Sequence, residues 1–100
     1  MREFHSVSDF YPFYLSQHRD KVCRRMHFVG SALVLMILAI SLLMATWKGI
    51  PLALFLGYGF AWIGHFCFEK NKPATFEYPF YSFICDWLMF RDILLGRISI

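Results

Sequence analysis

Residues 28–47 read F-V-G-S-A-L-V-L-M-I-L-A-I-S-L-L-M-A-T-W, twenty positions without a charge. At 1.5 Å of rise per residue, a helix of that length reaches about 30 Å, the thickness of the hydrocarbon core of a bilayer. The stretch is therefore expected to be a transmembrane helix. A second apolar run, Leu52–Phe68, is uncharged while His65 is neutral, and lies at the short end of what can span. Only Lys48-Gly49-Ile50-Pro51 separates the two runs. Glycine there ends one helix and proline starts the next. Two spans joined by so short a turn form an antiparallel hairpin.

The composition supports this. Hydrophobic residues make up 58% of the 100 residues and charged residues 17%, against about a quarter charged in soluble chains. So short a chain has too little interior to hide that much apolar surface. Twelve Phe, five Tyr and three Trp suit interfacial anchoring as well as packing. The net charge of +3 is modest, its cations cluster beside apolar segments, and no aromatic-basic RNA motif is present, so no nucleic-acid partner is expected. Cys23, Cys67 and Cys85 are odd in number and form no C-x-x-C pair; they read as reduced thiols. No cleavable signal segment is evident. Phosphate loops, Ser-His-Asp elbows and dinucleotide fingerprints are absent.

Outward from the hairpin, Ser8 or Asp9 is placed to cap a short aromatic helix with Pro12 in its first turn. Asp20 is a candidate N-cap for the first long helix. After the polar belt Glu69–Pro79, the run Phe80–Leu95 is short for a span and reads as an interfacial or partly inserted helix, the alternative being a third span with Asp86 facing the bundle interior. The expected fold is all-α: one membrane domain over residues 1–100, with helices at about 9–18, 20–47, 52–69 and 80–95. Of ten Lys and Arg, only Lys48 lies in the hairpin turn. The positive-inside rule then places both termini in the cytoplasm.

The candidate chemistry lies at that same rim. In the stretch W-I-G-H-F-C-F-E-K-N-K-P-A, residues 62–74, His65 and Glu69 are four apart and share one face of an α-helix. His18 and His27 precede the first span. Folding the hairpin about residue 49 or 50 brings His27 within about 5 Å of the level of Glu69 and about 10 Å of that of His65. Imidazoles with a carboxylate and few sulfur ligands suit Fe(II), Zn or Mn. Alternatives are a haem held by His27 and His65, or a scaffold protein whose histidines are merely interfacial. His5 fits the interfacial reading best.

The segments F-Y-P-F-Y-L-S-Q-H-R-D-K-V-C-R-R-M-H-F-V-G, residues 10–30, and G-H-F-C-F-E-K-N-K-P-A, residues 64–74, together resemble the family of 2-hydroxy fatty acid dioxygenases. His18, His27, Gly64, His65, Phe68, Glu69, Lys70, Pro73 and Ala74 match its pattern, while Lys21 and Cys23 stand where the family usually has proline and asparagine. The resemblance implies an Fe(II)-dependent enzyme that removes one carbon from a long-chain 2-hydroxy fatty acid with molecular oxygen (α-oxidation). It implies His18, His27 and His65 as iron ligands. Glu69 would be a fourth ligand or the partner that orients His65. Arg24, Arg25 or Lys70 would hold the substrate carboxylate. The location implied is an integral membrane one: the inner membrane in a bacterium, the endoplasmic reticulum in a eukaryote.

Overall fold

The structure, a computed structural model, describes residues 4–72 and 76–100. Pro73 and Ala74 of the motif lie outside the described residues. The described residues are helical, with no strand among them. Helix α1 is Val7–Ser16, α2 is Lys21–Leu43, α3 is Gly49–Ile63 and α4 is Pro79–Leu94; α3 runs on into a π-helical segment, Gly64–Glu69. Asp20 caps α2 as expected, accepting the Cys23 amide at 3.0 Å. Ser6, not Ser8 or Asp9, caps α1, accepting the Asp9 amide at 3.1 Å.

Helices α2 and α3 form the hairpin, and both α2 and Gly49–Glu69 are long and apolar enough to cross a membrane. Their outer faces carry large apolar side chains that nothing covers: Leu43 is 85% exposed, Leu42 81% and Phe55 74%. Water would not tolerate so large an apolar surface on a monomer.

The turn differs from the expectation. Helix α2 stops at Leu43, and Ala45 takes the left-handed conformation with φ of +53°. The Thr46 amide then bonds back to the Ser41 carbonyl at 2.9 Å, closing the helix end. Gly49 already belongs to α3 and lies against Ser41, where an added Cβ would collide with the hydroxyl. Gly30 packs against Gly57, and Gly64 against the backbone of Cys23, where an added Cβ would come within 3.1–3.3 Å of a neighbour. These pairs all centre on residues 43 to 45, four or five positions earlier than a turn at Gly49 would put them. That shift brings His65, not Glu69, level with His27.

Helices α1 and α4 cross the polar end of the hairpin and pack on each other through Phe10, Tyr14, Cys85, Met89 and Ile93. The rings of Phe4, Phe13, Tyr78 and Tyr81 surround Phe10, with centroids 5.0–5.7 Å away. This small aromatic core fixes α1, and so the position of His18 just beyond its end.

Candidate metal centre

Three buried imidazoles converge from three elements: His18 from the loop after α1, His27 from α2 and His65 from the π-helical segment. The Nε2 atom of His27 is 3.1 Å from that of His18 and 3.2 Å from that of His65. The far side of each ring is held. His18 Nδ1 donates to the Tyr14 carbonyl at 2.6 Å. His65 Nδ1 lies 2.6 Å from Asn71 Oδ1. Asn71 Nδ2 donates to the carbonyl and the side-chain oxygen of Gln17, at 3.1 and 3.2 Å, so Oδ1 is the acceptor and His65 the donor. His27 Nδ1 is 3.7 Å from the carboxylate of Asp86, which itself accepts a hydrogen bond from the Tyr14 hydroxyl.

These contacts fix the protons. With Nδ1 of His18 and His65 protonated, their Nε2 atoms present lone pairs, and both face His27 Nε2. At most one of the two close contacts can be an N–H···N bond. With the His27 proton on Nδ1, the ring nitrogen that faces the Asp86 carboxylate at 3.7 Å, neither can. Three lone pairs directed into one buried space could hold a cation. The separations fit one: over bonds of about 2.1 Å, nitrogens 3.1 and 3.2 Å apart subtend about 95–100°, close to adjacent corners of an octahedron. Acceptors behind ligating histidines are the arrangement by which proteins orient and strengthen such ligands.

Cys23 completes a group of four candidate ligands, all buried, whose donor atoms lie within 4.8 Å of one another. The sequence reads Cys23 as one of three reduced thiols; its position four residues, one helical turn, before His27 is the available signal.

Glu69 is not in that group. On a regular α-helix it would share a face with His65, but the wider π turn, which adds a residue per turn, directs it elsewhere. Its carboxylate accepts the amides of Arg19 and Asp20, the latter at 3.0 Å, and ties down the loop that carries His18. The partner expected of Glu69, orienting His65, is Asn71, which sequence reasoning missed although it lies in the same quoted stretch. Arg24 bonds to the carbonyls of His18, Arg19 and Ser99, so its guanidinium braces the loop and the C-terminal segment. Arg25 and Lys70 are exposed.

Three expectations follow from these contacts. Asn71→Ala frees the His65 ring and should weaken metal binding about 10- to 100-fold, read by Fe(II) titration of the apo protein. Glu69→Gln puts an NH2 group against one of two amide donors. It should destabilise the His18 loop by roughly 1.5–3 kcal/mol, seen as a lower unfolding temperature, with metal stoichiometry retained. The third concerns acid. Burial, and then the neighbouring His65, push His18 down to about 3 from its ordinary 6.5. The unfolded chain therefore binds the extra proton between those values. Stability is full above about pH 6.5 and falls as the pH drops toward 3, by about 1.4 kcal/mol per unit for this residue. Metal-free protein should show that loss in thermal melts between pH 7 and 4; a melting temperature independent of pH would contradict it.

A helical hairpin with three inward histidines, two of them backed by hydrogen-bond acceptors, defines a class: small helical proteins with a buried histidine cluster that could hold a metal ion. The chain belongs to the family described as 2-hydroxy-palmitic acid dioxygenase Mpo1-like, which it matches over residues 4–98. No curated protein and no solved structure matches it.

Proposed function

We propose that this protein is a membrane-embedded, Fe(II)-dependent dioxygenase that shortens long-chain 2-hydroxy fatty acids by one carbon. The convergence of three Nε2 lone pairs in a buried space, with acceptors behind the rings, carries this reading. The family description supplies the reaction class. The balanced reaction takes one 2-hydroxy acid and one O2 to the acid one carbon shorter, carbon dioxide and water.

His18, His27 and His65 would hold the metal, with Cys23 within reach. Bound iron would supply open positions for the substrate's oxygens and for O2. The chain does the rest. Tyr14 and Asn71 keep the His18 and His65 protons on Nδ1, and the Asp86 carboxylate faces Nδ1 of His27. The aromatic core of α1 and α4 covers the centre from water. Arg25 and Lys70, exposed near that end, meet the substrate carboxylate. Glu69 and Arg24 act on the loop that presents His18. The uncovered apolar faces of the hairpin lie in lipid, with both termini and the centre on the cytoplasmic side by the distribution of Lys and Arg.

A haem between His27 and His65 is disfavoured by geometry. Two ligands on opposite sides of one iron stand about 4 Å apart, whereas these nitrogens are 3.2 Å apart, with a third imidazole beside them. The test is anaerobic purification in detergent, Fe(II) reconstitution and incubation with 2-hydroxypalmitate and O2. One equivalent of iron and formation of the C15 acid are expected. Protein that takes up no metal under reducing conditions would instead be the scaffold.

A further inference from the structure

A cleft opens beside the metal centre between α2, α3 and α4. We propose that it seats the alkyl chain of the substrate: a single linear chain, its polar head at the His27–Asp86 end and its tail toward Val34 and Ala53. This rests on the dioxygenase reading and adds the site that would recognise the chain.

Three observations carry it. The cleft is continuous with the centre, because His27 and Asp86 line both. Its ionisable groups are His27, Asp86 and Tyr58; one turn past His27 the α2 side carries the Ser31 hydroxyl, and the lining then turns to Val34, Ala53 and Leu54. An amphiphile matches that gradient, and a uniformly apolar ligand does not. Its floor is low and its walls are tall. Gly57 lies where the hairpin helices approach closely and Ser31 lines the cleft on α2, while Phe83 and Trp87 stand on the α4 side. Helix packing places axes about 8–10 Å apart across a broad face; a slot between that hairpin floor and the aromatic α4 side suits a single alkyl chain. From His27 to Val34 is seven residues of α2, about 10 Å, room for on the order of eight methylenes before the chain emerges along the uncovered apolar face.

The experiment uses full-length protein with Trp47→Phe and Trp62→Phe, so that Trp87 is the sole tryptophan. It is loaded with Zn(II), which binds without turning over. The probe is a 2-hydroxy fatty acid brominated at mid-chain, a short-range quencher of indole fluorescence. Saturable quenching of Trp87, reversed by unlabelled 2-hydroxypalmitate, is expected. Ser31→Phe and Leu54→Phe, which fill the cleft from two helices, should each raise the half-saturating concentration at least about tenfold with zinc content unchanged. Leu35→Phe, on the exposed face of α2, should change neither. Non-saturable quenching, or saturation unmoved by both cleft variants, overturns the proposal. So does loss of zinc in both, since a side chain placed in open space has no reason to disturb the centre. Quenching that depends on protein concentration assigns the cleft to a second copy and overturns it equally. The two readings separate: saturable quenching in an iron-loaded protein without activity removes the dioxygenase and leaves an amphiphile site, whereas an active enzyme with unmoved quenching removes the cleft alone.

Discussion

Alanine at His27 is expected to leave a folded helical protein that no longer holds metal. His27 is the hub of the centre: its Nε2 is the atom that both other rings approach, at 3.1 and 3.2 Å. Without it, two imidazoles face a void and Asp86 loses its histidine neighbour. The affinity loss should exceed the 10- to 100-fold seen when only a supporting partner is removed, and turnover should fall with it. His18→Ala and His65→Ala should behave alike, because each removes one of three lone pairs. Helix content should persist in all three, since the hairpin and the α1–α4 core are built from other residues. His5→Ala, at an exposed position, is the control and should bind normally. Iron content after anaerobic reconstitution, with far-UV circular dichroism on the same samples, checks both halves. Full metal content in all three histidine variants would place the metal elsewhere.

Tyr14→Ala is expected to be the most damaging change outside the three histidines. Tyr14 is 1% exposed and does four things at once. Its ring packs in the core with Phe10, Cys85 and Met89 and stacks on His18 at 4.1 Å between centroids. Its carbonyl accepts the His18 proton, and its hydroxyl donates to Asp86. Truncating a buried aromatic costs about 3–5 kcal/mol, a large part of the 5–15 kcal/mol that holds a domain together. Asp86 would lose its donor as well. Burial already pushes that carboxyl up to about 7 against the lowering effect of the Tyr14 bond. Tyr14→Phe separates the roles. It keeps the ring and the carbonyl, so stability should fall by only about 1–3 kcal/mol while metal affinity drops through Asp86 and His27. Thermal unfolding in detergent and Fe(II) titration of both variants make the comparison. If Tyr14→Phe matches the native protein in both, the Asp86 bond holds nothing in place.

The hairpin was legible because a single physical term dominates it. An uncharged run of the right length, with a second one a four-residue turn away, forms long apolar helices that pair antiparallel, and the structure holds both. The histidines were legible as a set because their residue types and spacing match the family's pattern, although His65 was expected farther from His27 than Glu69.

What the sequence by itself determined is therefore the pair of long apolar helices, the polar end where the chemistry lies, and the three imidazoles. Tertiary structure alone decided which atoms meet. The register of the hairpin turns on one left-handed residue, Ala45, a conformation that alanine seldom adopts and that no local pattern announces. Moving the fold from residue 49 to residue 45 exchanges Glu69 for His65 opposite His27. The acceptors behind the rings depend on contacts 54 and 72 positions apart, Asn71 to Gln17 and Tyr14 to Asp86. Such partners are chosen by packing in three dimensions, where the depth of a side chain and the direction of one hydrogen bond matter more than distance along the chain.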